Sequence, residues 1–353
     1  METGDFVGRH VWTLVRGRDG SIARRLLARD RVERNVRAGK ALNVVPFGSR
    51  LGTANAVNAA VTARLLRRLG RRLRQPVVLW IYDPRAAALV GECGEAFAVY
   101  DCVDDYAEQT TTAGKRALVA ASDRLAAERS RLVFATSRTL YERQRRVNAA
   151  THLVPNVGDY EHFSPAADRG VAAPELAALP RPVVGFAGNF VPSKVDVALL
   201  QAVAAERPDW TVVLVGPSDP AVAADLARLA ALPNVHQLGP KPYGELPRYV
   251  AAFDVALIPY VANDYTRSCF PLKLYEYLAA GKPVVAAGLP ELCGMEPDVV
   301  VADEPRRFVD AVAQALRDDD DAGRSRRLEL ARRNTWEGRT ERLLQLVHAE
   351  LRH

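Results

Sequence analysis

The sequence predicts an α/β protein of two domains, each built on a doubly wound parallel sheet. Short apolar runs of strand length alternate with helical stretches in both halves of the chain. In the second half these runs end at Gly or Pro turns, and residues 163–182, rich in Ala and Pro, separate the halves. At 353 residues the chain is long enough for two such domains. We therefore expect ligand groups at the carboxyl ends of the strands.

The candidate strands of the first half differ in strength. Three are continuous apolar runs of the kind that is buried on both faces, at residues 77–82, 96–99 and 132–135. Two are weaker, at residues 10–15 and 44–47, and only Gly17 and Gly20 are available as loop glycines after the first of these.

The second half repeats the alternation more strongly. Its predicted strands are residues 183–186, 210–215, 235–238, 255–258 and 283–286. Helices are predicted over residues 195–205 and 336–351. Because parallel strands end at the same edge of a sheet, we expect the turns after these strands to lie side by side.

The functional prediction rests mainly on one stretch, RSCFPLKLYEYLAAGKPVVA at residues 267–286. Pro271 suits the first position of a helix and Gly281 the left-handed residue that ends it. Lys273 and Glu276 lie three residues apart and share one face of that helix. A cation in a first helical turn is unfavourable unless an anion binds there, which points to a phosphate, and an acid one turn on can accept a ribose hydroxyl. The spacing alone favours an ordinary surface pair.

The wording of this stretch resembles the nucleotide-binding signature of GT-B glycosyltransferases of family 4. The common form of that signature is Glu, seven residues, Glu, then Ala-x-Gly-x-Pro-Val-Val. Glu276 matches the second Glu and residues 280–285 match the tail, whereas Ser268 stands where the first Glu is usual. The Pro-Leu-Lys before Glu276 is similar to a bacterial subgroup that makes surface polysaccharides or decorates small molecules.

The resemblance implies two Rossmann-like domains facing a central cleft. Residues 1–165 would bind the acceptor, residues 166–335 would bind the nucleotide-sugar donor, and the helix at residues 336–353 would cross back to the first domain. In this arrangement Glu276 binds ribose, and Lys273 with the backbone near Leu272 binds the diphosphate.

Further donor contacts follow from the same resemblance. The segment GNFVPSK looks like the family loop that holds the diphosphate, with Asn189 at a position usually held by Arg. We expect the donor site to comprise Gly188, Asn189 and Lys194 at the diphosphate, Gly216, His236 and Leu238 with Glu276 at the nucleoside, and Ser268, Cys269 and Phe270 at the sugar. Read by themselves, His152, His162 and His236 fit ordinary loop or core positions.

Acidic residues follow a strand of the first half. Relatives often carry a His-Asp pair in this region; no His is present here, and Asp104 looks like the Asp of that pair. A carboxylate of Asp104 or Asp105 could act as a general base on an acceptor hydroxyl or simply orient it. Capping of the next helix is an equally good reading of the two aspartates. Their pattern is not a DxD, so we predict that no metal ion is required.

Composition narrows the function classes. The net charge is +6, and almost all of the positively charged residues are arginines. Leu65, Leu66, Leu69 and Leu73 recur at helical spacing within the cluster at residues 64–74, which predicts an amphipathic helix with an arginine face. A solvated surface or a peripheral contact with an anionic membrane would suit such a face. No aromatic platform accompanies the charge, so nucleic acid is disfavoured.

Compartment and cysteine chemistry are also constrained. No apolar run is long enough to span a bilayer, and the N-terminus has Glu2 and Asp5 but no signal core, which indicates a cytoplasmic protein, at most at the inner face of the membrane. The cysteines show no zinc or disulfide spacing and are expected to be buried thiols: Cys93, Cys102, Cys269 and Cys293.

These observations favour a glycosyltransferase that moves a sugar from a nucleotide diphosphate, UDP before GDP or dTDP, to an acceptor hydroxyl with retention or inversion. A nucleotide-sugar epimerase and a non-catalytic nucleotide-binding subunit on the same fold are the alternatives. A dehydrogenase is disfavoured because no strand leads into GxGxxG.

Overall fold

The computed structural model describes residues 30–33, 36–38, 52–71, 76–110 and 112–352. The predicted strands at residues 10–15 and 44–47 lie outside these ranges. The described residues form two units. One contains those up to Cys102 together with Thr110–Phe134 and Gln144–Thr151, and the other contains Val103–Gln109, Ala135–Arg143 and the residues from His152 onward.

A sheet of four described strands has the order β3-β4-β5-β6, and β3 and β4 pair in parallel. Its strands are β3 (Val78–Ile81), β4 (Phe97–Cys102), β5 (Leu132–Ala135) and β6 (Thr151–Leu153). Three helices accompany them: α1 (Gly52–Gly70), α2 (Ala113–Arg129) and α3 (Arg138–Arg145). A separate antiparallel pair, β1 (Asp30–Glu33) and β2 (Val36–Ala38), was not predicted.

The second sheet is parallel throughout and has six strands in the order β12-β11-β10-β7-β8-β9. They are β7 (Val183–Ala187), β8 (Thr211–Val215), β9 (Val235–Gly239), β10 (Val255–Pro259), β11 (Val284–Ala287) and β12 (Val299–Val301). The chain runs outward from β7 to β9, returns to β10 beside β7, and runs outward on the other side. The strand order therefore reverses between β7 and β10, and ligands bind at such a point in open α/β sheets.

Most helices of this unit contribute side chains to a continuous apolar core. They are α4 (Tyr160–Phe163), α5 (Pro174–Ala177), α6 (Val197–Glu206), α7 (Ala223–Ala230), α8 (Leu246–Ala251), α9 (Lys273–Ala279), α10 (Pro305–Asp318) and α11 (Asp321–Arg333). The last helix, α12 (Trp336–Leu351), adds no residue to this core. The strands predicted for this half are confirmed to within a residue or two at each end.

The helix of the central motif is shorter than predicted. Pro271 lies two residues before α9, and Gly281 has the expected positive φ of 69° just after it. The N–H of Leu274 donates to the Pro271 carbonyl at 3.2 Å, and the N–H of Tyr275 to the Leu272 carbonyl at 3.1 Å. The first turn thus has i to i−3 hydrogen bonds. The helical winding begins at Pro271, as predicted, but it becomes α-helical only at Lys273.

The arginine-rich helix α1 forms as predicted up to Gly70, while Leu73 lies outside the described residues. Leu65, Leu66 and Leu69 keep 41%, 36% and 37% of their surface exposed. In the described part of the chain, no helix has the length and apolar character needed to cross a membrane. Cys93, Cys102 and Cys269 are buried as predicted, but Cys293 is exposed, so the prediction was wrong for this thiol.

Candidate active site

The loops after β7 and β10 are tied together by their backbones at the point where the strand order reverses. The N–H of Asp196 donates to the Pro259 carbonyl at 2.9 Å, and the N–H of Val261 donates to the Lys194 carbonyl at 2.8 Å. Lys194, predicted to bind diphosphate, therefore lies beside Tyr260, the first residue after β10.

Two predicted donor-site glycines are packed against each other and against Lys273. Gly216 has a φ of 139°, and a Cβ there would lie 2.0 Å from the Gly188 carbonyl oxygen. A Cβ on Gly188 would lie 2.9 Å from Cε of Lys273. Only residues without side chains allow this approach. The structure thus brings together three residues that the sequence assigned to the donor.

The Lys273 ammonium is held by aromatic side chains. Its Nζ donates to the Tyr260 hydroxyl at 3.1 Å and lies 5.7 Å from the ring centre of Phe186. Burial disfavours the charged form, but Tyr260 and Glu276 outweigh that effect and raise the pKa of Lys273. The half-buried side chain is therefore a permanent cation at neutral pH. The helix α9 is short, so its dipole is a weak influence on Lys273. The aromatic contacts explain the position of the lysine better.

Glu276 is half-buried one turn after Lys273. Burial raises the pKa of its carboxyl group, and the nearby Lys273 and His162 reduce the rise. The His162 ring stacks on Tyr243 with 4.6 Å between ring centres, and its Nε2 lies 2.9 Å from the Tyr243 carbonyl oxygen. Tyr243 keeps 51% of its surface exposed. The sequence predicted an ordinary loop or core position for His162 and gave no indication of a role for Tyr243.

Asp104 lies in the same unit as Lys194. Its Oδ2 accepts hydrogen bonds from the Tyr265 hydroxyl at 3.0 Å and from Nε2 of Gln109 at 2.7 Å. Burial raises the pKa of Asp104, while the Lys194 charge and the Tyr265 hydrogen bond act in the opposite direction. The Lys194 ammonium lies 5.2 Å from the centre of the Tyr265 ring. A carboxylate and a cation that the sequence assigned separately are thus linked through Tyr265.

Asp105 has a different environment from Asp104. Its side chain is buried, its Oδ2 is paired with the Arg143 guanidinium, and its Oδ1 accepts the N–H of Glu108 at 3.3 Å. Glu108 lies in the turn at residues 106–109, whereas the next helix, α2, begins at Ala113 after Thr112. Asp105 therefore holds this turn and an ion pair, and it does not cap α2. Of the two aspartates, Asp104 is the one beside Lys194.

Of the residues predicted to hold the donor sugar, Ser268 and Cys269 are buried and Phe270 is half-buried. Ser268 is 2% exposed, and its hydroxyl donates to the Tyr265 carbonyl at 3.1 Å, within its own turn. Cys269 is also buried, and burial raises the pKa of its thiol to about 12. The Phe270 carbonyl accepts a hydrogen bond from Asn156 at 2.8 Å. The hydroxyl of Ser268 is therefore occupied within the chain.

The remaining predicted donor residues lie at the surface or on β9. Asn189 and Leu272 are exposed. His236 and Leu238 are half-buried on β9, at the edge of the sheet. The Gly239 carbonyl, which follows Leu238, accepts the N–H of Gly216 at 2.8 Å, so the end of β9 adjoins the paired glycines. Among the described residues, no three His, Cys, Asp or Glu side chains are grouped so as to hold a metal ion.

Solved structures share the architecture of the chain. HepE of Anabaena in complex with UDP and glucose aligns with a TM-score of 0.68 at 19% identity, covering 87% of this chain and 84% of that one. Sucrose-phosphate synthase from Thermosynechococcus elongatus aligns with a TM-score of 0.68 at 20% identity, covering 84% of this chain and 79% of that one. With its two parallel-sheet α/β units, the chain has the fold of the GT-B glycosyltransferases.

Sequence comparison finds a family model for part of the chain. Residues 181–318 match the model described as glycosyl transferases group 1. TuaH of Bacillus subtilis (strain 168), named as a teichuronic acid biosynthesis glycosyltransferase, is 35% identical over 193 residues. That alignment covers 52% of this chain and 47% of TuaH, so the chain matches about half the length of this relative.

Proposed function

We propose that this protein transfers a sugar from a nucleoside diphosphate sugar to a hydroxyl group of an acceptor. The observation that carries the proposal is the pair of lysines beside the reversal of strand order. Lys273 is held by Tyr260 against Gly188, and Lys194 is held over Tyr265 beside Asp104. The two cations suit a leaving diphosphate, because negative charge grows on it as the anomeric bond breaks.

Each group has a defined task in this reaction. Lys273 and Lys194 stabilise the departing diphosphate while the bond between the anomeric carbon and the phosphate oxygen breaks. Glu276 accepts hydrogen bonds from the ribose hydroxyls. Asp104 accepts the proton of the acceptor hydroxyl as its oxygen bonds to the anomeric carbon. Burial raises the pKa of Asp104, which makes its carboxylate a stronger base.

The comparisons support a choice of donor and acceptor class. HepE was crystallised with UDP, with UDP and glucose, and with UDP-glucose, so we propose a UDP-sugar donor before GDP or dTDP sugars. TuaH is named for teichuronic acid biosynthesis, so we propose a saccharide acceptor of a bacterial surface polymer. Synthesis on the cytoplasmic side of the membrane is part of this proposal.

A contact of α1 with an anionic membrane surface would bring the protein to such an acceptor. The helix combines exposed arginines, including Arg64 and Arg68, with the exposed Leu65, Leu66 and Leu69. Cosedimentation with anionic vesicles but not with zwitterionic vesicles would support this contact, and equal sedimentation with both would contradict it.

A panel of UDP, GDP and dTDP sugars tests the proposal, with and without a saccharide acceptor. Release of free nucleotide, increased by the acceptor and unaffected by EDTA, is expected for a metal-independent transferase. A parallel preparation of the Lys273→Met variant controls for contaminating activity. A new sugar isomer without nucleotide release would indicate an epimerase, and binding without turnover a non-catalytic subunit. Loss of turnover in EDTA would refute metal independence.

A further inference from the structure

We propose that Tyr265 is a positioning residue that fixes Asp104 and Lys194 relative to each other. The inference rests on the proposed transfer reaction, in which Asp104 receives a proton and Lys194 faces the diphosphate. No sequence motif pointed to Tyr265, and its role follows from the contacts of its side chain.

One side chain meets two charged groups through different parts. The Tyr265 hydroxyl donates to Oδ2 of Asp104 at 3.0 Å, and its ring lies 5.2 Å from Nζ of Lys194. The tyrosine is only 5% exposed. Its hydroxyl and its ring face therefore serve as fixed supports, the first for the carboxylate and the second for the ammonium.

The backbone turn that carries Tyr265 is itself held in place. The Tyr265 carbonyl accepts the N–H of Ser268 at 3.2 Å and the hydroxyl of the same residue at 3.1 Å. The N–H of Thr266 donates to the side chain of Asn263 at 2.8 Å, and Nδ2 of Asn263 donates to the Ser193 carbonyl at 3.0 Å. Because Ser193 precedes Lys194, the turn is anchored to the loop whose lysine it supports.

This anchoring explains the inward orientation of Ser268. Its hydroxyl donates to the Tyr265 carbonyl and so closes the turn that carries the tyrosine.

The other neighbours of Asp104 define what loss of the hydroxyl would do. Oδ1 accepts the N–H of Asp105 at 3.0 Å and has the thiol of Cys269 at 3.9 Å, while Oδ2 also accepts from Gln109. Charged or titratable groups near Asp104 include Lys194, Tyr265, Asp105 and Cys269. Lys194 and the Tyr265 hydroxyl favour the carboxylate, whereas burial and Asp105 oppose it. Removing the hydroxyl leaves Asp104 more easily protonated.

Two substitutions separate the two supports. Tyr265→Phe removes the hydroxyl and keeps the ring, so we expect kcat to fall by about tenfold or more, since hydrogen bonds to charged groups are worth more than neutral ones. The acidic limb of the kcat–pH profile should move to higher pH, and the donor KM should stay within about twofold of wild type. Tyr265→Leu also removes the ring, so the dissociation constant of UDP should rise as well.

Tyr249 offers a matched control in the same unit. Its hydroxyl donates to Glu175 at 2.7 Å, and Nζ of Lys241 lies 4.9 Å from its ring centre. Tyr249→Phe therefore makes the same chemical change to a buried tyrosine between a carboxylate and a lysine, none of which is assigned a role in the proposed reaction. We expect wild-type kcat and an unshifted pH profile for this variant.

A double-mutant cycle with Asp104→Asn completes the test. If Tyr265 acts through Asp104, Tyr265→Phe should have no further effect on kcat in the Asp104→Asn background, whereas additive losses would overturn the proposal. An unshifted acidic limb in Tyr265→Phe, or equal losses in Tyr265→Phe and Tyr249→Phe, would also overturn it. Turnover by the wild-type enzyme is measured in the same assay, so the transfer reaction is judged independently of Tyr265.

Discussion

Replacement of Lys273 by methionine is expected to slow sugar transfer while leaving the fold intact. Methionine has nearly the length of the lysine stem, so it can occupy the space over Gly188 and beside Phe186. The change removes the ammonium that Tyr260 holds at 3.1 Å. It therefore tests the charge at this position rather than the packing.

The size of the effect follows from Coulomb's law. Unit charges about 3 Å apart attract by about 1.4 kcal/mol in water and by about 5.5 kcal/mol at an effective dielectric constant of about 20. Lys273 is half-buried, so an intermediate value of about 3 kcal/mol applies to the charge that develops on the leaving diphosphate. That energy corresponds to a loss of roughly a hundredfold in kcat, similar to the effect of removing one oxyanion-hole donor.

The assay measures release of nucleotide under saturating donor and acceptor, with the melting temperature recorded for each variant. Tyr260→Phe keeps the cation and removes its hydroxyl partner, so its kcat should fall less, by about tenfold at most. Lys241→Met is the matched control, because Lys241 also lies over a tyrosine ring, at 4.9 Å from that of Tyr249. It should retain wild-type kcat.

The expected order of kcat is Lys241→Met equal to wild type, then Tyr260→Phe, then Lys273→Met. A Lys273→Met enzyme with wild-type kcat and an unchanged melting temperature would refute the electrostatic role of this lysine. A loss of the same size in Lys241→Met would show that the assay reports general damage.

Three further predictions concern other parts of the same unit. Glu276→Gln should raise the dissociation constant of UDP by about tenfold, measured by calorimetry, because an amide is a weaker acceptor for ribose hydroxyls than a carboxylate. Gly216→Ala should cost several kcal/mol of unfolding free energy in urea titrations, since its Cβ would lie 2.0 Å from the Gly188 carbonyl. Gly239→Ala should cost only about 1–2 kcal/mol, because φ is +67° there but no atom lies within 4 Å. Burial lowers the pKa of Lys282 to about 7. Above that pH the unfolded state binds more protons than the folded state. The free energy of unfolding should therefore rise from about pH 7 to about pH 10, by up to about 1.4 kcal/mol per pH unit. Lys282→Met should remove that rise.

Each of these expectations has a result that contradicts it. Unchanged UDP affinity in Glu276→Gln would remove the ribose assignment. Equal losses in Gly216→Ala and Gly239→Ala would mean that positive φ, rather than the close approach of two backbones, limits substitution. A pH dependence that persists in Lys282→Met would have to come from other titrating groups.

The fold was largely predictable because the strands are buried on both faces. Residues 183–186 and 255–258 are continuous apolar runs, which are typical of strands buried on both faces of a parallel sheet. The resemblance of the central motif then led to a family whose model matches residues 181–318. The start of α9 was less accessible to sequence, since Pro271 permits both a 3₁₀ turn and an α-helix.

The supports of the candidate site were not predictable in the same way. Asp104 and Tyr265 are 161 positions apart, and no local pattern reports a contact at that separation. The Arg143 partner of Asp105 was hidden for the same reason. The position of Tyr260 was predictable, because it directly follows a buried strand at the edge where ligand groups are expected. The sequence does not indicate which group its hydroxyl contacts.

The segment after β10 supports both lysines, Lys273 through Tyr260 and Lys194 through Tyr265. A shift of this segment would displace both ammonium groups together, so a change in the length of the segment would alter the positions of both cations. Substitutions meant to change the preferred donor should therefore keep Tyr260 and Tyr265. Changes near His162 and Tyr243, which adjoin Glu276, offer a more independent starting point for redesign.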